Sequence, residues 1–539
     1  RLCTDGSRMT KDIDFENSYT PTSDTYILRI IVSRADVHNL WLYFYDVSNA
    51  FQTNVIEDPS KRHYLSLPPL YKQWFSQRWP THPLLTSCTD WKTLVMQTLR
   101  NMQGTKDAGH EWYKLLSTIF EDIGMVANTI CKGIFIWKQD DILAYLILAT
   151  DDILFATNTT KAVHLLETAF HKYFSFTMRK GSELSFLNFR IIQSTHGISI
   201  DQSNHIKQKI LDEYFPTPIK VPFQSSPFPL CPKFEMTLFA STPLDQDQHF
   251  KMAKIHHGSF NHWTGAIIHI AGMSRPDLSY SVMRLSGYNA SPTIATFHAL
   301  HHFMCFLFHH PHVPIMYRRG SGNDGNLKSY TVKGHAEILD PDTFQGLKVY
   351  TDADLARDLS SRRSVSSVII ELNGTAVAWG SHKQAVPGTC TNITETTAIF
   401  KGVKRTLETR RFLESMNEGD PSPTPIMEDN QATITQIKKD RLTPRVKQLD
   451  IIITWLHYHY NRGTFIPLYI NTHLNKADMN TKPHGGETLQ KHLFSIIGFK
   501  FYPPANSEHY RLLELHLYNI GEHRGTFLIF KEITKPSSS

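Results

Sequence analysis

Apolar residues recur along this chain in two rhythms, and the places where the rhythm changes divide it. Leu40–Tyr45 (LWLYFY) is an unbroken apolar and aromatic run that predicts a buried strand, and it stops at Asp46. Val47-Ser48-Asn49-Ala50-Phe51 then reads as a turn into a helix. Further on, Ile142–Leu148 and Ile153–Ala156 are two apolar strands, and the polar residues between them are Thr150-Asp151-Asp152. The pattern turns helical beyond Lys233: Asp247–Trp263 and Thr293–His309 carry apolar residues at three- and four-residue spacing, which predicts one helix in each. Arg318–Asn326 (RRGSGNDGN) reads as a loop or linker from its Gly, Asn and Ser content.

A second strand-rich region starts near Leu347. Leu347–Thr351 predicts a strand that delivers Asp352 and Asp354 at its end. Val365–Leu372 and Thr375–Gly380 are strand-like runs joined by Asn373-Gly374, a strong hairpin signal. Helices are expected over 394–416, 431–438 and 446–460, with strands at Pro425–Glu428 and Thr464–Ile470. The chain therefore reads as α+β, in four parts: 1–232, a helical part 233–346, 347–501, and a tail 502–539.

Composition narrows this picture. At roughly 150 residues per domain, 539 residues suit three or four domains, and 41% hydrophobic with 20% charged residues excludes a disordered or fibrous chain. The net charge of +6 permits a polyanionic partner without requiring one. The 29 histidines are scattered rather than set at zinc spacing. Six widely separated cysteines with no CxxC pair predict free thiols in a reducing compartment. No run approaches the ~18–20 uninterrupted apolar residues of a membrane span, so no membrane partner is expected. The chain opens on Arg1 rather than Met, as a piece of a longer polypeptide would.

The acids at strand ends are the chemical feature. Asp151 and Asp152 at a hairpin tip should repel one another and resist burial; the ordinary alternative is a solvated turn. Asp46, ending another core strand, favours a cation among the three, and Mg²⁺ prefers such oxygen ligands. In the second region Asp352 ends a strand. Glu395 falls in the first turn of its helix, with Ala398, Ile399 and Gly402 at +3, +4 and +7 placing it on the apolar face. Its ordinary reading is an acid complementing the helix dipole. For Asp429 that reading is the N-cap of the next helix, and for Asp478 a plain loop acid. Four such acids at the ends of core elements point together to a second cation centre.

These residues lie in recognisable motifs. Tyr45-Asp46-Val47-Ser48-Asn49-Ala50-Phe51, Met102–Tyr113 with its Gly104-Thr105-Lys106 turn, Thr150-Asp151-Asp152-Ile153-Leu154, His196–Gln202 and Ser274-Arg275-Pro276-Asp277 stand in the order found in reverse transcriptases of copia-type LTR retrotransposons. Tyr350–Asp354, Arg363–Ser367, Trp379–Gln384, Glu428–Ala432 and Ala477–Pro483 resemble the ribonuclease H part of the same polyproteins, with Glu395 at its second acid. The resemblance covers most of residues 1 to about 490. It departs at Ala149, where the family has tyrosine, and at His110, Arg357 and Gln448. No aspartic-protease or zinc-binding integrase motif is present.

The resemblance implies a reverse-transcriptase palm with partial fingers, a helical connection and a ribonuclease H-like domain. It implies RNA-directed DNA polymerisation and cleavage of RNA in RNA–DNA hybrids, acting on an RNA template, a DNA primer and dNTPs. Two Mg²⁺ ions per site, with Mn²⁺ as a substitute, would be held by Asp46, Asp151 and Asp152 and by Asp352, Glu395, Asp429 and Asp478. Arg8, Arg29, Gly104, Lys106, Lys383 and Arg445 are candidate nucleic-acid contacts, with plain surface charge as the alternative for the basic ones. An intracellular setting, a cytoplasmic particle or the nucleus, also follows from the resemblance. A folded remnant that binds nucleic acid and catalyses nothing is the competing reading.

Overall fold

The apolar runs pair into three larger sheets in a computed structural model, which describes residues 3–498 apart from 19, 22–23, 69, 218–219, 319–345 and 440–448. The first sheet contains β1 (Trp41–Val47), β2 (Val126–Ala127), β3 (Ile134–Gln139), β4 (Ile142–Ala149), β5 (Asp152–Thr157) and β6 (Phe176–Arg179). Their spatial order is β2-β3-β4-β5-β1-β6, antiparallel throughout. Side chains alternate across it. Leu42, Phe44, Leu154 and Ala156 join one core with α1 (Thr25–Val37); Tyr45, Val47, Ile153 and Phe155 join another with α2 (Ala108–Asp122) and α3 (Thr160–His171). Both faces are covered, which is why these strands are written as continuous apolar runs. Each fully buried Leu or Phe contributes roughly 1.5–3 kcal/mol, so the strands that carry Asp46 and Asp152 are held from two sides.

The second sheet, β7 (Glu183–Phe186), β8 (Phe189–Ser194), β9 (Gly197–Asp201) and β10 (Ile315–Arg318), has the order β10-β9-β8-β7. The buried Gln193 ties it to β1: its Oε1 accepts from Leu42 N at 2.8 Å and its Nε2 donates to Leu42 O at 2.8 Å.

The helix expected over 247–263 is two helices, α4 (Gln246–Ile255) and α5 (Phe260–Met273). His257 takes a left-handed φ of 53°, and Ser259 caps α5 by accepting from His262 N at 3.1 Å. Met252, Phe260 and Trp263 all pack on one core, so apolar spacing runs through the break unchanged. Next come α6 (Ser279–Ser286) and α7 (Ile294–His309), the latter closed by a capping box between Thr293 and Thr296.

The third sheet contains β11 (Leu347–Asp354), β12 (Val365–Leu372), β13 (Thr375–Lys383), β14 (Thr424–Glu428) and β15 (Phe465–Tyr469), ordered β13-β12-β11-β14-β15. The first three pair antiparallel, and β14 joins β11 and β15 in parallel. Asn373 and Gly374, at φ 55° and 76°, make the tight turn between β12 and β13. Helices α8 (Thr391–Ser415), α9 (Gln431–Lys438), α10 (Asp450–Asn461) and α11 (Gly486–Ile497) pack around it. The start of the helix expected over 446–460, most of the expected linker, Arg445 and the tail 502–539 lie outside the described residues. No disulfide joins any of the six cysteines.

Glu418, just past α8, fastens this third unit to the first. Its Oε1 accepts from His38 Nε2 at 3.0 Å and from Lys138 Nζ at 3.3 Å, Tyr145 donates its hydroxyl to the same oxygen, and Arg34 pairs with Oε2.

Candidate functional site

The strand pairing places Asp46 directly opposite Asp152 on β1 and β5. Thr150, at φ 59°, turns the chain between β4 and β5. The tip is held by Trp112, which donates its indole N–H to Thr150 O at 2.7 Å, and by Val47 N, which donates to Asp151 O at 3.3 Å. Asp46 is exposed, while Asp151 and Asp152 are half-buried. Burial, then the charges of Asp151 and Asp46, push the Asp152 carboxyl up to about 6 against the opposing pull of Arg179. The three acids therefore share one electrostatic field, although their donor atoms do not form a group within 4.8 Å. Ala149 pairs with Asp152 and puts a methyl group beside the acids.

The second set converges more tightly. Donor atoms of Asp352, Glu395 and Asp429 all lie within 4.8 Å of one another. β11 runs three residues beyond Thr351 and carries Asp352 into a buried position. α8 begins at Thr391, so Glu395 sits in its second turn, buried, rather than in the first as the spacing suggested. That placement removes the dipole explanation, which fades beyond the first turn. The N-cap of α9 is Asn430, whose Oδ1 accepts from Ala432 N and Thr433 N at 3.0 and 3.1 Å, so Asp429 does not cap the helix. Asp478 lies in the 3-10 turn Lys476–Asn480. Lys476 anchors that turn by donating to Glu371 Oε1 and Ser495 O, each at 2.7 Å. Thr481 Oγ1 donates to Asp352 Oδ2 at 2.7 Å and lies 3.1 Å from Asp478 O, linking the fourth acid to the first.

Burial, then the charges of Asp478 and Asp429, raise the Asp352 carboxyl to about 7, with the Thr481 hydrogen bond opposing. Burial likewise raises Glu395, followed by the charges of Glu428, Asp352 and Asp429. One oxygen of Glu395 is buried without a hydrogen-bond partner. Repelling carboxylates with an unpartnered oxygen and an all-oxygen donor set suit a hard divalent cation. An open cleft of about 550 Å³ lies over Glu395 and Asp429 and is also lined by Thr391, Asn430, Gln431, Tyr469 and Thr472.

Sequence reasoning missed several neighbours of this cluster. Glu428 is fully buried, its Oε2 accepting from Thr351 Oγ1 at 2.9 Å and its Oε1 from Asn430 N at 3.1 Å. A glutamate ending a mostly apolar interior strand was the available sign. Lys482, His484 and His492 surround Asp478; Lys482 falls inside the Ala477–Pro483 motif, while His484 and His492 follow it with no recognised motif.

The candidate nucleic-acid contacts separate into two groups. Arg8, Gly104 and Lys106 are exposed and neighbouring: Thr4 N donates to Gln103 O at 2.9 Å, and Lys106 N lies 3.4 Å from Met9 Sδ. Gly104 has φ +101°, and a Cβ there would meet Thr4 O at 2.0 Å, so only glycine fits. Arg29 is buried, contrary to the surface role expected of it. Its guanidinium donates to Val377 O at 2.6 Å, Gly272 O at 3.0 Å and Met273 O, and it stacks 4.1 Å over Trp379. Three of its five N–H donors are spent on these buried carbonyls, so Arg29 packs α1 against the third sheet. Lys383 is half-buried and ion-paired with Asp358.

No protein-family model matches the chain. It is 23% identical over 512 residues to the retrovirus-related Pol polyprotein from transposon RE1 of Arabidopsis thaliana, covering 94% of this chain and 30% of that protein. It is 22% identical over 486 residues to that from transposon TNT 1-94 of Nicotiana tabacum, covering 89% of this chain and 33% of the relative. The chain thus spans about a third of the length of the curated relatives it matches. Among solved structures, the foamy viral protease-reverse transcriptase in complex with RNA/DNA hybrid is 14% identical, covers 80% of this chain and 44% of that one, and has a TM-score of 0.35. Over most of its length, this chain is a homologue of the retrovirus-related Pol polyproteins of copia-type transposons.

Proposed function

We propose that the chain is the reverse transcriptase and ribonuclease H portion of such a polyprotein, with residues 1–232 as partial fingers and palm, 233–346 as connection, 347–501 as nuclease and 502–539 as a tail. The observation that supports this best is the convergence of Asp352, Glu395 and Asp429 within 4.8 Å on a unit separate from the Asp46/Asp152 strand pair. Asp46, Asp151 and Asp152 would hold Mg²⁺ at the first site, and Asp352, Glu395, Asp429 and Asp478 at the second, with Mn²⁺ as a substitute. When bound, paired ions supply Lewis-acid polarisation and neutralise charge on the phosphoryl oxygens.

The protein's own contribution is positioning. The paired strands β1 and β5 fix the spacing of Asp46 and Asp152, and the Trp112 indole fixes the turn that carries Asp151. At this site a primer 3′-hydroxyl attacks the α-phosphate of a dNTP directed by an RNA template, and pyrophosphate leaves. At the second site, water cleaves the RNA strand of an RNA–DNA hybrid lying over the open cleft beside Glu395 and Asp429. Hybrid recognition there rests on shape, 2′-hydroxyls and phosphates. Arg8 and Lys106, both exposed, would meet a template backbone, with Gly104 letting the two segments approach. Primer extension on an RNA template with Mg²⁺ or Mn²⁺ tests the polymerase: incorporation above an Asp151→Asn/Asp152→Asn control is expected, and its absence refutes it. A second reading, a folded remnant that binds hybrid and catalyses nothing, is favoured by Ala149 beside Asp152. Salt-sensitive hybrid binding with neither extension nor cleavage would select it.

A further inference from the structure

Two histidines converge on the far side of Asp478 from Lys482. Lys482 pairs with Asp478 Oδ1, while Oδ2 faces His484 Nε2 at 3.3 Å and His492 Nε2 at 3.9 Å. Donor atoms of the three residues all lie within 4.8 Å of one another, and the imidazole rings are 5.3 Å apart. His484 precedes α11 and His492 lies within it, so a turn, a loop and a helix each contribute one group. All three residues are almost entirely buried, at 8%, 9% and 6% exposure. His484 Nε2 also lies 2.9 Å from Asp478 O, a contact it would exchange for an ion.

The spacing has a chemical meaning. Four ligands at ~2.0–2.1 Å around a tetrahedral Zn²⁺ stand about 3.3 Å from one another. The Asp478–His484 separation already equals that edge, and the Asp478–His492 separation exceeds it by only about half an ångström. Two imidazoles and one carboxylate are a zinc donor set with one position left for water, whereas Asp352, Glu395 and Asp429 offer oxygen alone. The two clusters therefore select different ions although they share the Asp478 neighbourhood.

We propose that Asp478, His484 and His492 form a Zn²⁺ site adjoining the all-oxygen cluster of Asp352, Glu395 and Asp429, with Asp478 the one residue it has in common with the four acids of the second Mg²⁺ site. The scattered histidines of the sequence concealed it, because its ligands are six and fourteen residues beyond Asp478 and no standard zinc spacing joins them. Zinc binding at these three residues does not rest on the nuclease reading.

The test is titration of the full chain, freed of metal and held in excess Mg²⁺, with Zn²⁺ against a chromogenic chelator. Co²⁺ serves as a spectroscopic substitute whose visible absorption reports tetrahedral nitrogen–oxygen ligation. One tight Zn²⁺ per chain and a tetrahedral Co²⁺ spectrum are expected. His484→Gln and His492→Gln should each weaken binding on the order of tenfold or more, the scale on which even indirect partners of a metal act. Asp352→Asn and Glu395→Gln should leave it unchanged. Circular dichroism confirms that each variant is folded, and His484→Gln lies outside any helix should His492→Gln fail to fold. Absence of the tight Zn²⁺, binding indifferent to His484→Gln, or binding lost in Asp352→Asn would each overturn the proposal. Loss of hybrid cleavage with zinc binding intact would instead count against the nuclease reading alone.

Discussion

Replacing Glu418 by glutamine removes the one negative charge at a buried junction where α1, β3 and β4 meet the end of α8. The side chain is only 4% exposed and faces Arg34, His38, Lys138 and Tyr145. Burial pushes its carboxyl up, but the His38 hydrogen bond, the Arg34 and His38 charges and the Tyr145 hydroxyl outweigh that and hold it at about 2, against an ordinary 4.5. A difference of this size is worth roughly 3 kcal/mol at neutral pH, since one pKa unit is about 1.4 kcal/mol. The folded-state value is depressed, so the stabilisation is fully present above pH 4.5 and drains away as pH falls toward 2. By pH 3 about half should be gone. Urea unfolding of wild type and Glu418→Gln, followed by tryptophan fluorescence at pH 7, 4 and 3, reads this directly. The variant should lose roughly 3 kcal/mol at pH 7, with the gap narrowing steadily on acidification. A gap that stays constant from pH 7 to 3 would show that the Glu418 charge does not hold the junction.

Three further outcomes follow from the same physics. Asp352 has a raised folded-state value of about 7, so its ionisation destabilises the metal-free fold as pH rises from 3.8 through 7. Asp352→Asn should therefore stabilise the metal-free chain at pH 8 by at most about 4 kcal/mol, seen as a higher melting temperature, and change little at pH 4; no rise at pH 8 would refute it. Arg29→Gln should cost about 2–4 kcal/mol by leaving buried carbonyls unpaired while the salt dependence of hybrid binding stays unaltered, and a shallower salt slope would restore its role as a phosphate contact. Gly104→Ala forces a Cβ onto Thr4 O at φ +101° and should loosen the segment from Thr4 to Met9, seen as faster proteolytic cleavage there.

Local pattern carried much of the fold. The β12–β13 hairpin was legible because Asn373-Gly374 is among the few dipeptides that accept two left-handed residues in succession. The helix over 431–438 was legible because its apolar period and polar start agree. The strands around Asp46 and Asp152 were legible because burial on both faces leaves no polar residue inside them. Contacts between distant segments were not. Nothing near Arg29 announces that Val377, 348 residues away, will accept its hydrogen bond. The break at 257–259 was hidden because residues on both sides of it share a core. At the acids, sequence order singled out Asp352, Glu395 and Asp429, whose donor atoms converge, and Asp478 beside them, but not which helix turn holds Glu395. It also missed Glu428, whose burial depends on β14 lying inside its sheet, between β11 and β15.

Cleavage of the RNA strand in an end-labelled RNA–DNA hybrid, with Mg²⁺ present, tests the central claim most directly. The full chain should cut the RNA and spare the DNA, and Asp352→Asn, Glu395→Gln and Asp429→Asn should each reduce cutting to background while still binding the hybrid. Cleavage that persists in these three variants, or a folded chain that binds hybrid and never cuts it, would contradict the account.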